Sequence, residues 1–435
     1  MDSSSSVLMY KLKQHFSGSR IADLPSSLME ALQQSLLFAK LAPGATIAIT
    51  VGSRGIRQID AILRYVVRYL QDEGYRPFLV AAMGSHGNGE ADGQREILAS
   101  LGITEQSIGA PIRCSSEVVQ LGITSADPLL LFGSMTPGLA GLPVYMAKEA
   151  AQADGILVIN RVKPHTAFRG DYESGLLKML SVGLGRAAGA DSVHSLGASQ
   201  LALAIPSIAR VSLERAPVIG GIAIVENGEE ETAIIEGIPA GDIFVRERQL
   251  LQEAKRMMPS LPVGQMDLCL VGEMGKNYSG TGMDSNIIGR MRIRGLAEPD
   301  RPDIAYVGVL GLSRPSHGNA TGIGLADFTT DAVVRDIDRD STYLNCLTTG
   351  FVTRAAIPMS LKNDRELIEK AMFALKIKDP GAFRLVYIKN TLHLDEVWVS
   401  GAIYEELQSE AHIECMDGPC RLPFDNDGNL LLPKR

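Results

Sequence analysis

The strongest constraint on the fold is a three-part unit that recurs along the chain: an apolar strand pattern, a turn containing glycine, and a helical pattern. Residues 45–51 form an apolar, β-branched run that stops at Gly52, and apolar residues then recur at helical spacing over 59–70. The same order returns twice, over 77–83 with 92–101 and over 155–160 with 175–184. Strands that alternate with helices predict an α/β fold with largely parallel sheets.

A chain of 435 residues is long enough for two domains. A charged helical pattern over 244–258 ends at Pro259, and the strand and helix pattern starts again beyond it. We therefore predict two α/β domains with the site in the cleft between them: an N-terminal, cofactor-binding domain (1–260) and a C-terminal domain (265–400). For the tail (401–435), the sequence leaves open whether it packs back onto the N-terminal domain.

Composition excludes several classes of protein. Hydrophobic residues make up 45% of the chain and charged residues 21%, the balance of an ordinary globular protein rather than a disordered one. No apolar run reaches the roughly 20 residues of a membrane span. The formal net charge of −8 argues against nucleic acid as the main partner. The start, Met1-Asp2 and four serines, lacks a signal-peptide pattern, and the five cysteines are best explained as free thiols, so we expect a cytoplasmic protein.

Polar residues follow three of the predicted strands at the point where each strand ends. These are Ser53-Arg54, Ser85-His86 and Lys163-Pro164-His165. Ligands of open α/β sheets collect at the carboxyl ends of the strands, which gives these positions weight. Either histidine alone would more simply be a surface loop residue, but the two together favour a functional site.

Two glycine-rich segments are candidates for a nucleotide or phosphate site. The segment Gly52-Ser53-Arg54-Gly55 precedes a helical pattern and resembles an anion cradle, in which backbone N–H groups and Arg54 would hold the charge. Residues 183–189 miss the dinucleotide-binding spacing and follow a helix instead of a strand, which excludes a classical nicotinamide-binding fold.

Lys178 and His194 stand out in the segment that follows the third strand. Lys178 has apolar neighbours on both sides, which would disfavour its charged form and suit a covalent role. The simpler alternative is a lysine whose stem packs while its ammonium reaches water. His194 belongs to no zinc-binding pattern with the other histidines, but a single histidine can ligate a metal that another group mostly holds.

The order and spacing of Arg54, His86, His165, Lys178 and His194 resemble those of the lactate racemase family that uses a nickel-pincer nucleotide. The resemblance implies a two-domain α/β fold and that cofactor, a nickel complex of pyridinium-3,5-bisthiocarboxylic acid mononucleotide. It implies the following roles: Lys178 for the covalent link, His194 for nickel, His86 and His165 for proton transfer, and Arg54 for the substrate carboxylate. Gly52, Ser53 and Gly55 would then belong to the cofactor-binding loop.

The resemblance extends to the second domain, where Glu273-Met274-Gly275-Lys276 matches a stretch that faces the substrate in the family. Two features depart from the family: Glu273 stands where a glutamine is usual, and the loop around Arg54 lacks the usual Asp-x-Thr-Arg-Pro. These changes affect positions that contact the substrate in the family, so a 2-hydroxy acid other than lactate is expected. A glycine loop at 316–324 carries His317 and could be either part of the site or a surface turn.

The reaction implied is racemisation or epimerisation of a 2-hydroxy acid by proton-coupled hydride transfer. One histidine takes the hydroxyl proton while hydride leaves the adjacent carbon for the cofactor, and the 2-oxo acid receives it back on the other face. The expected partners are the 2-hydroxy acid and the enzymes that make the cofactor. Two alternatives stay open: a non-catalytic protein that binds a phosphorylated metabolite, and a metal-dependent hydrolase that uses His86, His165 and His194 as ligands. The sequence does not indicate an oligomeric state.

Overall fold

The computed structural model describes residues 6–16, 18–53, 55–131 and 133–433. The chain divides into two compact units. Gly18–Met258 form what we call the N-terminal unit, and Pro259–Arg435 join the residues before Gly18 in the C-terminal unit. Each unit contains a mostly parallel sheet with helices, which confirms the predicted α/β class.

The strands and helices are numbered here in chain order. The strands are β1 (Leu8–Gln14), β2 (Thr46–Val51), β3 (Arg76–Ala81), β4 (Ile112–Arg113), β5 (Val118–Ile123), β6 (Leu129–Leu131), β7 (Ser134–Thr136), β8 (Pro143–Ala147), β9 (Gly155–Arg161), β10 (Val218–Glu226), β11 (Thr232–Pro239), β12 (Gln265–Val271), β13 (Asp303–Val309), β14 (Phe328–Thr330), β15 (Met359–Leu361), β16 (Leu385–Ile388), β17 (Glu396–Ser400) and β18 (Ile413–Arg421). The helices are α1 (Leu24–Gln34), α2 (Ile59–Asp72), α3 (Ala91–Ser100), α4 (Glu105–Ile108), α5 (Lys148–Ala151), α6 (Leu176–Lys178), α7 (Arg186–His194), α8 (Ala198–Arg215), α9 (Ile243–Met257), α10 (Asp331–Asp336), α11 (Arg339–Thr349), α12 (Asp364–Ala374) and α13 (Gly401–Leu407).

The N-terminal unit is built on a sheet with the strand order β11-β10-β9-β2-β3-β4. All neighbouring strands in it are parallel except β11, which runs antiparallel to β10. Its central strands are buried on both faces, so they consist of almost continuous apolar residues. The apolar stripe of α2 packs on one face, as its helical spacing predicted; its buried residues are Ile59, Ile62, Leu63, Val66, Val67 and Leu70.

The sheet of the C-terminal unit has the order β15-β14-β13-β12-β16-β17-β1-β18 within the described residues. The strands from β15 to β16 are parallel, and the remaining pairs are antiparallel. Trp398, on β17, is buried, and its ring packs edge-on against Tyr387 with 5.6 Å between centroids. Because β12, β13 and β16 are parallel, their carboxyl ends lie along one edge of the sheet.

The ends of the chain are arranged differently from the sequence-based domain limits. We expected residues 1–260 in one domain, but β1 lies between β17 and β18 in the C-terminal unit. The tail after residue 400 supplies α13 and β18 to that same unit. Backbone pairing between residues almost 400 positions apart leaves no local pattern, which explains the difference. No described helix is both long and apolar enough to cross a membrane.

Candidate functional site

Three of the predicted site residues follow neighbouring strands of the N-terminal sheet. Ser53 follows β2, His86 follows β3 and His165 follows β9. These strands are adjacent and parallel, in the order β9-β2-β3, so their carboxyl ends lie along the same edge. The residues therefore lie where an open α/β sheet binds its ligands.

Ser53 and His86 are in direct contact. The Ser53 Oγ lies 2.5 Å from the His86 Nδ1, while His86 itself is exposed to solvent. A hydroxyl can donate or accept a hydrogen bond, so Ser53 can hold the ring in either protonation state. With Nδ1 engaged in this way, proton exchange with a ligand would involve Nε2.

The loop that carries His86 packs against the segment that carries His194. The Gly84 N–H donates to the Gly183 carbonyl at 3.2 Å. Gly89 has a positive φ of 72°, and a Cβ built there would lie 3.1 Å from the Cβ of Ala187, on α7. The glycine thus allows both the turn and the close approach of the loop to α7.

Lys178 and His194 lie within electrostatic range of each other. Lys178 is half-buried at the end of α6, and His194 is the last residue of α7. Neighbouring protein atoms partly desolvate the exposed His194 ring and lower its pKa, and the positive Lys178 lowers that pKa further. Asp191 acts in the opposite direction. The result is a histidine that favours the neutral form, the form that can ligate a metal.

The backbone between Lys178 and His194 departs from the predicted helix over 175–184. A short helix, α6, runs directly into a π-helical turn over Met179–Gly183, closed by the Leu184 N–H on the Met179 carbonyl at 2.8 Å. Gly183 is required there because a Cβ would lie 2.8 Å from the Ala82 carbonyl oxygen. Single π turns inside helices are frequent at functional sites.

His165 is held by contacts within its own loop. Lys163 and Ser174 exchange backbone hydrogen bonds of 3.0 and 3.1 Å and close the base of the loop. The His165 Nδ1 accepts the Ala167 N–H at 3.0 Å, so that nitrogen carries no proton and Nε2 carries one in the neutral ring. The ring also packs on Phe168, with 4.5 Å between centroids.

Glu173 supports this loop from inside and is a residue that the sequence analysis missed. Its buried carboxylate accepts the His165 N–H at 2.6 Å and the Gly170 N–H at 3.3 Å. Lys255, on α9, pairs with it at 2.8 Å. A single glutamate in a polar loop gives no local sign of burial, so only the folded chain identifies it.

The loop after β2 does not open a helix in the way that the predicted anion cradle requires. Helix α2 begins only at Ile59, after Gln58 in the left-handed conformation, and the Arg57 N–H already donates to the Glu226 carboxylate at 2.7 Å. Arg54 lies outside the described residues, and a Cβ built at exposed Gly55 would meet nothing within 4 Å. Gly52 instead approaches Met179: a Cβ there would lie 3.3 Å from the Met179 methyl. The loop that carries Ser53 therefore lies close to Met179, the residue next to Lys178.

In the C-terminal unit, Glu273 and Lys276 follow β12 at the carboxyl edge of the sheet. Glu273 is buried and accepts the Tyr278 hydroxyl at 2.5 Å. The Lys276 ammonium donates to the Asn345 amide oxygen at 2.6 Å, and the Lys276 N–H donates to the Ser316 hydroxyl at 2.9 Å. The side chains of the segment from Glu273 to Lys276 are thus oriented by specific partners.

The glycine loop at 316–324 is packed onto this segment through Ser316. Thr321 from the same loop donates to Asn345 at 3.1 Å, the atom that also holds Lys276. His317 is exposed with a left-handed φ of 46°. The loop is therefore a support for Lys276 rather than a free surface turn.

The three histidines do not form a metal centre by themselves. In the described part of the chain, no group of three or more His, Cys, Asp or Glu side chains is placed to hold a metal ion. His86, His165 and His194, the joint ligands of the hydrolase alternative, are thus not grouped as metal ligands among the described residues.

Comparison with known proteins gives a fold-level likeness. No protein-family model matches the chain, and no curated protein matches it. Among solved structures, the chain is similar to the lactate racemase apoprotein from Thermoanaerobacterium thermosaccharolyticum, at 11% sequence identity and a TM-score of 0.49. The match covers 80% of this chain and 83% of that chain. At this identity and TM-score, no residue role, activity or substrate carries over from that protein.

Proposed function

We propose that the protein is a racemase or epimerase of a 2-hydroxy acid and that it uses a nickel-pincer nucleotide. The observation that carries the proposal is that the charge of Lys178 acts on His194, a histidine that favours its neutral form. A lysine for a covalent link within electrostatic range of a histidine for nickel is the donor set that such a group needs. The Ser53 and His86 contact, which packs against the same segment through Gly84, supplies a proton-exchanging group nearby.

The residues of this chain would divide the chemistry between them. When bound, the cofactor would supply a hydride acceptor that later returns the hydride to the substrate. His86 or His165 would take the hydroxyl proton, and the C–H bond of the same carbon would break with loss of hydride, so that a 2-oxo acid forms. For His165 to take the proton through Nε2, its ring must release the Ala167 N–H and carry its own proton on Nδ1. Return of the hydride to the opposite face and of a proton from the other histidine would give the other enantiomer. Each histidine serves as the base for one enantiomer and as the acid for the other.

Substrate binding is proposed to involve charged groups. Arg54 would hold the carboxylate, because a guanidinium can form two parallel hydrogen bonds with it. Glu273 and Lys276 are proposed to contact the rest of the substrate, and the carboxyl group of Glu273 favours a substrate with an additional hydroxyl or other donor. The proposed partners are the 2-hydroxy acid and the cofactor-making enzymes, in the cytoplasm.

The test is co-expression of the full chain with the cofactor-making enzymes, followed by intact-mass and nickel measurements. We expect an adduct on Lys178 and about one nickel per chain. Lys178→Ala should lose the adduct, whereas Lys40→Ala, at an exposed lysine of the same unit, should keep it. His194→Ala should keep the adduct and lose nickel, because the covalent link and the metal bond involve different residues.

The proposal is contradicted if the wild-type chain carries no adduct under conditions that load a known enzyme of this class. Nickel at full stoichiometry in His194→Ala would show that another residue is the ligand. Zinc or manganese bound without an adduct would favour a hydrolase instead.

A further inference from the structure

Glu247 is a buried residue whose carboxylate packs against the backbone of residues 175–177, just before Lys178. It belongs to α9 and is 1% exposed. Its Oε2 accepts the Leu177 N–H at 3.0 Å, and the Leu176 N–H also stabilises the ionised carboxylate. Among the described residues, its Oε1 has no hydrogen-bond partner. The carboxylate therefore meets the first backbone N–H groups of α6, the helix that ends at Lys178.

Gly175 provides the space for this carboxylate. A Cβ at residue 175 would lie 2.5 Å from the Glu247 Cδ and 2.6 Å from its Oε1. The φ of Gly175 is 171°, an extended conformation that any residue can adopt, so the requirement for glycine is steric. The Asn160 Nδ2 donates to the Gly175 carbonyl at 2.7 Å from the end of β9. The start of α6 is thus held by one side chain from the sheet and one from α9.

This arrangement costs folding free energy. Burial raises the pKa of Glu247 to about 7, because the two backbone N–H groups only partly replace the water lost by the ionised carboxylate. A buried carboxylate that weakens the fold is better explained by a role at a functional site than by stability alone.

We propose that Glu247 is a positioning residue for Lys178: by accepting the backbone N–H groups of α6, it sets the direction in which the Lys178 side chain leaves the turn. The inference rests on the proposed covalent role of Lys178. It does not make Glu247 a catalytic residue, since its contacts are with the backbone of Leu176 and Leu177.

The test measures Lys178 in the full-length protein without cofactor. Brief labelling with acetic anhydride over a range of pH, read by peptide mass spectrometry, gives the labelling rate and the titration midpoint of Lys178, with Lys40 as internal reference. Hydrogen exchange at the Leu177 amide reports the Glu247 contact itself. The variants are Glu247→Ala, Glu247→Gln and Leu250→Ala, the last a truncation of another buried residue of α9.

Glu247→Ala should change the Lys178 labelling rate by about fivefold and speed Leu177 exchange by about tenfold, the range expected when a buried amide loses its acceptor. Glu247→Gln should stay within about twofold of wild type in both measurements, because its side-chain carbonyl can still accept the Leu177 N–H. Leu250→Ala should leave the Lys178 rate unchanged although it lowers global stability.

The inference is overturned if Glu247→Ala leaves Lys178 labelling unchanged, or if Leu250→Ala changes it equally. It also fails if Glu247→Gln behaves like Glu247→Ala, since the hydrogen bond would then not be the operative contact. These readouts need no cofactor. A missing adduct on the wild-type chain would therefore refute the proposed function, while the labelling data would still decide the role of Glu247.

Discussion

At the scale of single residues, the pKa of His194 reports the charges and the desolvation around its ring. Desolvation and the Lys178 ammonium both disfavour the protonated ring, and Asp191 favours it. In the cofactor-free protein, we expect the NMR titration midpoint of His194 to fall below 6.5, the usual pKa of a histidine side chain. Lys178→Gln should raise the midpoint without restoring 6.5, because desolvation is the larger cause, and Asp191→Asn should lower it further.

The control is a substitution at an exposed lysine of the same unit. Lys40 is not among the groups that shift the His194 pKa, so Lys40→Gln should leave the His194 midpoint at its wild-type value. If Lys178→Gln leaves the His194 midpoint unchanged, the two side chains do not interact, and the observation that carries the proposed function is lost.

The separate histidines and the lysine were visible in the sequence, but the residues that orient them were not. His86, His165 and Lys178 could be singled out because each follows a strand or sits in an apolar run. Glu173 and Glu247 could not, because a glutamate in a polar loop or a charged helix normally faces water. Glu247 lies between Arg246 and Arg248, so nothing in its neighbours indicates that it is buried.

At the scale of elements, the turn that carries Lys178 depends on the fit between Gly175 and α9. Gly175→Ala places a methyl group against the Glu247 carboxylate and should destabilise the protein by about 1–3 kcal/mol, the usual cost of overpacking. In a Glu247→Ala background, the same substitution should cost close to nothing, because the obstructing side chain is gone. Urea denaturation followed by circular dichroism gives both values.

Gly241→Ala is the matched control for this cycle. Gly241 precedes α9 and has open space where a Cβ would be placed, so its substitution should cost the same in both backgrounds. If Gly175→Ala lowers the free energy of unfolding equally with and without Glu247, the two residues are not coupled, which would contradict the close contact between Gly175 and the Glu247 carboxylate.

At the scale of the whole molecule, the sequence predicted the strand and helix units well and the chain connections poorly. The units around β2, β3 and β9 could be recognised because each combines an apolar run, a turn and a helical period within about 30 residues. The pairing of β1 with β17 joins Leu12 to Val397, and no short-range pattern reports such a partner. Domain limits drawn from local linkers therefore placed β1 with the N-terminal residues, whereas it belongs to the C-terminal unit.

The last prediction tests this placement of β1. Leu12 is 0% exposed and pairs with Val397 on β17, whereas Leu8, on the same strand, is 44% exposed. Leu12→Ala should destabilise the C-terminal unit by about 2–5 kcal/mol, the cost of truncating a buried leucine, and Leu8→Ala should stay within about 0.5 kcal/mol of wild type. The single tryptophan, Trp398, pairs with Lys11 across the same two strands, so its fluorescence follows the unfolding of this unit. A Trp398 transition that shifts to lower urea in Leu12→Ala and not in Leu8→Ala would establish that a strand near the start of the chain stabilises the unit formed by its end, whereas an unchanged transition in Leu12→Ala would place β1 outside this sheet.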